Sequence, residues 1–450
     1  MGLFGMPKRR ASDEVDTLII GAGAAGLGAA AELASRDLLV TVLEARDRIG
    51  GRILTGRDSL TPIPVELGAE FIHGRSESVM RWLAACNQSA VDAPQARWTL
   101  SRNKLQPGDT LFDEMRSRLD RLAVRQDMPF AQFLQRHSRS LPPAIREFAR
   151  TLVEGFDAAD AKRVSTIEVL KEWSGSAAAD SETFRPLTGY DTLMNAIQHS
   201  FKPDRVHVRL GVCVRQISWK RDSIDIDAIQ HGQPIRVHAR RAIVTLPLGV
   251  LQLPASSPHA VRFDPPLRQK QNALSLLAAG PVIKMILRFS RPFWDELGEC
   301  KYKDAAFFHA PDAAFPTFWT SLPIRTSVLV AWSAGPNAER LSGARREDLL
   351  EHVFETLRRL FGRRVNYRAL LEGFAYHDWQ RDPFACGAYS YVLANGRSAR
   401  ATLARPLENT LFFAGEACDT QGEAASVGGA LASGQRAASL AIESLSTSEG

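Results

Sequence analysis

An α/β fold with an interrupted parallel sheet is what this 450-residue sequence predicts, and three features predict it. A short apolar strand at 15–20 runs directly into a glycine-rich turn. A small-residue helix at about 24–35 and a second strand at 39–43 then complete a strand–turn–helix–strand unit. Near the C-terminus the same grammar returns, as a strand at 410–414 and a small-residue helix at about 424–445.

Between these ends the pattern changes twice. From about 76 to 173 it turns helical: Val79, Trp82 and Leu83 recur at helical spacing, as do Leu111, Met115, Leu119 and Leu122. Strand-like stretches return at 206–210, 212–219, 224–229 and 242–246. A third region, about 265–364, mixes strands at 282–289 and 327–332 with a helix near 346–360. No internal repeat or low-complexity tract interrupts it. The order predicts a discontinuous Rossmann-like domain assembled from 1–75, 190–264 and 365–450, with 76–189 and 265–364 forming an inserted α+β substrate domain.

The chemistry begins at Gly21-Ala22-Gly23-Ala24-Ala25-Gly26, a G-x-G-x-x-G pattern set between a strand and a helix. Gly21 permits the tight turn, Gly23 lets a pyrophosphate approach the backbone, and Gly26 lets helix and strand pack closely. The helix start, through Ala24 and Ala25, then points its positive end at the phosphates. Glycine triplets arise in ordinary turns, so the pattern alone is weak. Glu44 strengthens it, closing the second strand where an acid accepts bonds from the adenosine ribose. NAD and FAD share this fingerprint. The next run, Glu44-Ala45-Arg46-Asp47-Arg48-Ile49-Gly50-Gly51-Arg52, sets three arginines around a glycine pair and suits the pyrophosphate of an extended cofactor.

This run resembles the glycine-doublet signature of the flavin-containing amine oxidases, which include monoamine, polyamine and L-amino-acid oxidases and the lysine-specific histone demethylases. Further similar blocks follow in family order: Glu66-Leu67-Gly68-Ala69-Glu70-Phe71-Ile72-His73-Gly74, Gly189-Tyr190-Asp191, and Thr245-Leu246-Pro247-Leu248-Gly249-Val250-Leu251. Lys284 in a strand before Phe293-Trp294-Asp295, then Tyr389-Ser390-Tyr391 and Phe413-Ala414-Gly415-Glu416, complete the series.

The resemblance implies non-covalently held FAD. It adds Gly68, Ala69, Glu70, Phe71, Val214, Gly415, Glu416, Ala425, Ser426 and Val427 to the cofactor-binding positions above. Glu416 is expected to hold the ribityl-pyrophosphate region, and the C-terminal helix to aim its positive end at the flavin's N1 side. Lys284 matches the family lysine that holds a water against flavin N5; from its segment alone, a snorkelling edge-strand lysine is an equal reading. Trp379 and Tyr389 are expected at the flavin's reactive face, whereas Tyr391 reads as core. Ala388 occupies the position of the monoamine oxidases' flavin-linking cysteine, and Ser426 that of their second cage tyrosine. His73 resembles a polyamine-oxidase histidine near the bound amine, with Glu70 able to line the cofactor or meet a substrate cation.

The predicted function is therefore hydride transfer from the carbon beside a substrate nitrogen to flavin, with imine hydrolysis and hydrogen peroxide formed from O2. Polyamines are the first substrate expected. An L-amino-acid oxidase, needing an arginine clamp, and a non-catalytic or chromatin-associated flavoprotein are the alternatives. Bulk properties are compatible. Hydrophobic residues at 45% and charged residues at 24% are the balance of a globular chain, and no apolar run reaches bilayer length. The formal charge of +6 is spread along the chain, which argues against a nucleic-acid face. Five scattered cysteines without a CxxC pair argue against a metal site and predict a cytoplasmic protein. The N-terminal stretch, basic at 8–10, lacks the apolar segment of a secretory signal.

Overall fold

The structure is a computed structural model that describes residues 14–57, 61–108, 110–174 and 182–446. The basic stretch at 8–10 lies outside them. Two large sheets organise the chain. In the first, Val206–Arg209, Val40–Leu43, Glu14–Ile20 and Gln233–Val244 run side by side in parallel, and Leu411–Phe413 joins the far edge of Gln233–Val244. Residues 242–244 thus pair with 18–20 on one side and 411–413 on the other, bringing strands from both ends of the chain into register. Val212–Lys220 and Ser223–Gln230 extend Gln233–Val244 as an antiparallel meander.

Side-chain alternation sorts this sheet's two faces. Ile19, Val42, Ile243 and Phe412 point to a core closed by the helices Ala24–Ala34, Tyr190–His199 and Val427–Ser446. Leu18, Ile20, Val244, Leu411 and Phe413 point the other way, onto Ile217, Ile224 and Ile226 of the meander. The two small-residue helices touch closely: a Cβ on Gly434 would lie 2.1 Å from the Ala25 carbonyl oxygen.

The second sheet has the order Leu371–Asp378, Val282–Phe289, Val328–Ala334, Thr317–Thr320, Phe307–His309, Arg97–Ser101, Lys104–Pro107. Ile283, Met285, Leu287 and Phe289 face the amphipathic helix Arg346–Phe361 through Leu349, Val353, Phe354 and Leu357. The alternate residues of the same strand, Val282, Lys284 and Ile286, face the opposite side. A helical cluster, Phe130–Arg136, Pro143–Gly155 and Thr166–Ser174, forms a third core around Phe130, Phe133, Val153 and Trp173, and Tyr391 packs into it.

Two differences from the sequence reading are informative. The stretch 76–173 is not helical throughout: it contains Ala90–Asp92 and the hairpin Arg97–Ser101/Lys104–Pro107. Its turn places Arg102 and Asn103 at φ of +48° and +61°, the conformation of a two-residue hairpin loop. And Leu371–Asp378, within the span 365–450 assigned to the cofactor domain, pairs with Val282–Phe289 in the second sheet.

Candidate active site

The glycine turn is built as its spacing requires. Gly21 sits at φ +108°, and a Cβ on Gly26 would lie 1.9 Å from the Gly21 carbonyl oxygen. At Gly23 the nearest atoms to such a Cβ are 3.9 Å and 4.0 Å away, both from the Gly50-Gly51 pair. The helix Ala24–Ala34 starts there with Ala24 and Ala25 buried and no side-chain cap. A buried helix start without a cap has orphan amides that an anion satisfies. Glu44 closes the opposite wall, accepting from the amides of Ala22 at 2.7 Å and Arg46 at 2.9 Å. Val214 lies on the strand entered beside it, where the Val212 amide donates to the Glu44 carbonyl. The glycine-doublet loop is clamped by Arg48, which donates to the carbonyls of Gly51 and Ile53.

Two arginines of this run tie distant segments to it. Arg46 pairs with Asp382 at 2.6 Å. Arg52 donates to the Ala388 carbonyl at 2.7 Å and to Glu416 at 2.8 Å, while its own carbonyl accepts from Ala69. Glu416 also takes the Ser390 hydroxyl at 2.6 Å. Burial pushes the Glu416 carboxyl up, but Arg52 and Arg400 hold it below its ordinary value, so it is ionised. Gly415, at φ +132°, precedes it, and Ala425 at φ +62° precedes the C-terminal helix. Ser426 caps that helix: its hydroxyl accepts from the Gly429 amide and donates to the Glu423 carbonyl. Val427 is its first residue.

Lys284 is 1% exposed, which excludes the snorkelling reading. Its ammonium donates to Glu70 at 2.7 Å and to the Gly68 carbonyl at 3.1 Å, and lies 5.2 Å from the Trp319 ring centre. The other Glu70 oxygen accepts from Arg185 at 3.0 Å and from the Trp319 indole at 2.9 Å. Desolvation opposes the Glu70 charge, and Lys284 and Arg185 more than offset it. Glu70 therefore balances two buried cations and is not the open carboxylate that a substrate cation would meet. The sequence reading is corrected there.

Beside this cluster, His73 and Tyr389 both meet Phe156. Phe156 is 51% exposed, yet its carbonyl accepts the Tyr389 hydroxyl and its ring meets His73 edge-on at 5.4 Å. Enclosure lowers the His73 pKa to about 4, leaving a neutral imidazole. Phe71 continues the wall toward Phe307 and Trp319. Trp379 lies behind it: it is 2% exposed, with its indole N–H bonded to the Leu67 carbonyl. It supports the 66–74 block instead of presenting its face to a substrate, a second correction.

The chain matches the family described as flavin containing amine oxidoreductase over residues 24–442. It belongs to that family. Its cofactor is FAD, and the uncapped helix start, the open approach at Gly23 and the Arg46, Arg52 and Glu416 contacts fit that group. Among curated relatives, lysine-specific histone demethylase 1 homolog 3 of Arabidopsis thaliana is 27% identical, covering 96% of this chain and 30% of its own. Probable polyamine oxidase 4, also of Arabidopsis thaliana, is 26% identical over 92% of this chain and 84% of its own. The chain thus spans about a third to a half of the demethylases it matches first. A wild-type putrescine oxidase bound to putrescine shares the fold at a TM-score of 0.79, with 21% identity over 96% of this chain and 99% of that one.

In this member of the family, sequence reasoning missed Arg185, Trp319 and Phe156. None lies in a glycine- or acid-marked motif, and each reaches the site through long-range packing. No helix among the described residues is long and apolar enough to cross a membrane.

Proposed function

We propose that this enzyme oxidises the carbon–nitrogen bond of a polyamine or diamine, by hydride transfer from the carbon beside a neutral nitrogen. The observation that carries the reading is the grouping of a neutral His73, the Phe156 ring and the Tyr389 phenol, with Phe71 joining His73 to Trp319 and the Lys284–Glu70 pair. FAD, when bound, supplies the two-electron chemistry, accepting hydride and returning electrons to O2 as hydrogen peroxide. The chain's own work is to orient and to exclude water. His73, held neutral, accepts or donates one hydrogen bond without placing a positive charge beside a developing iminium. Tyr389 is fixed by the Phe156 carbonyl, and Lys284, bonded to Glu70, keeps a buried cation at the 66–74 block. Arg185 is committed to Glu70 and to the carbonyls of Leu322 and Thr320, so it offers no clamp for an amino-acid carboxylate. Ala388 at the family's linking position makes the attachment of FAD non-covalent.

Anaerobic mixing with spermine, spermidine, putrescine, benzylamine and L-amino acids, followed by flavin bleaching, tests the reading. Polyamines or putrescine are expected to bleach fastest. Faster bleaching by benzylamine or an L-amino acid overturns the substrate class.

A further inference from the structure

On the strand Val282–Phe289, Ile286 follows Lys284 on one face and stands opposite Val330 of the neighbouring strand. A cavity of about 50 Å³ lies against them. Val65, Ile286, Val328 and Val330 form its inner wall, the last three buried. Its mouth is Leu187, 40% exposed, with the half-buried Ile324. Glu70 also lines it, and the Glu70 carboxylate holds the Lys284 ammonium at 2.7 Å. The cavity therefore runs from the surface to the carboxylate partner of the buried lysine. His73, Phe156 and Tyr389 take no part in its lining.

Such a volume has room for about three or four water-sized molecules, and none for an amine chain of several carbons. Its polar walls are committed elsewhere. Glu66 accepts from the Tyr190 amide and the Thr55 hydroxyl, Glu70 from Lys284, Arg185 and Trp319, and Arg185 donates to Glu70 and to two carbonyls. What the cavity offers freely is hydrocarbon, which suits a small neutral molecule better than water. We propose that this cavity admits dioxygen to the reduced cofactor, by a route separate from that of the amine. The inference rests on the proposed return of electrons to O2 and assigns the side from which that oxidant arrives.

The charges at the inner end agree. Reduced flavin loses two electrons and two protons, and O2 gains them as hydrogen peroxide, so negative charge develops on oxygen during the transfer. A buried cation stabilises that charge in a dry site. Lys284 and Arg185 against the single Glu70 carboxylate leave this end positive. Glu66, pushed up to about 7 by burial, adds less than a full negative charge at neutral pH.

Two measurements on the FAD-loaded enzyme test the route, with Val330→Phe filling the inner wall and Ile324→Trp closing the mouth. Crystals held under xenon pressure should show xenon in the cavity of the wild type and not in that of Val330→Phe. Ordered water there, or no xenon, in the wild type overturns the proposal. Flavin reduced by light without any amine is then mixed with O2. Both variants should be reoxidised more slowly by on the order of tenfold, with anaerobic bleaching by amine unchanged. Melting temperature and FAD content check that each variant folds. Unchanged reoxidation, or equal slowing of both half-reactions, overturns the separate route and leaves O2 as the acceptor standing. A photoreduced wild type that O2 fails to reoxidise overturns both readings.

Discussion

At the scale of single residues, the Lys284–Glu70 pair separates a chemical role from a structural one. Replacing Lys284 by Met leaves Glu70 buried with Arg185 and Trp319 as remaining partners. That should lower unfolding free energy by about 1–3 kcal/mol. It should also slow reoxidation of the reduced enzyme by O2 on the order of tenfold or more, because a dry site has lost a charge. In Lys284→Met/Glu70→Gln the stability should partly recover, since no carboxylate is stranded, while reoxidation stays slow. Stopped-flow reoxidation and urea unfolding of both variants decide it; recovered reoxidation in the double variant would assign Lys284 a purely structural role. The sequence marked Lys284 and Glu70 as residues of interest but not as partners, because they stand 214 positions apart and nothing local records their meeting.

At the scale of elements, the parts that were legible are those whose local chemistry repeats their tertiary role. The glycine turn is one: Gly21 needs its positive φ, and Gly26 leaves no room for a methyl group. The hairpin at 97–107 was hidden because Leu100 and Leu105 are its only strongly apolar aliphatics, and Arg102-Asn103 is an unusual choice of turn. Its order comes from pairing with Phe307–His309, a strand 210 residues away. The close contact of the two small-residue helices makes a graded prediction. Gly434→Ala would put a methyl 2.1 Å from the Ala25 carbonyl oxygen, whereas at Gly28 the nearest atom, the Leu431 carbonyl oxygen, is 3.1 Å away. Gly434→Ala should cost about 1–3 kcal/mol in urea unfolding and displace the helix start that faces the pyrophosphate, lowering the flavin-to-protein absorbance ratio. Gly28→Ala should do less of both. Equal effects of the two substitutions would mean that the helices separate freely, and that the contact does not position the cofactor site.

At the scale of the whole molecule, the cofactor segments come from both ends of the chain. Residues 21–26, 44–52, 66–71 and 415–427 converge, and Arg52 links its own segment to two of the others through Ala69 and Glu416, and to Ala388 besides. A ligand bound at such a junction stabilises the native state by mass action, because the unfolded chain presents no site. Free FAD at a hundredfold excess over its Kd should add about 2.7 kcal/mol relative to the apoprotein. For a chain of this size that raises the melting temperature by on the order of 3 °C. With Ala388 at the linking position, acid precipitation should leave all the flavin in the supernatant. The two measurements constrain each other. Flavin retained in the washed pellet would show a covalent bond, with Cys386, two residues before Ala388, as its candidate site. A melting temperature indifferent to added FAD, in apoprotein that rebinds it, would show that the unfolded chain holds the flavin as well as the native one does, and that the junction of segments is not what binds it.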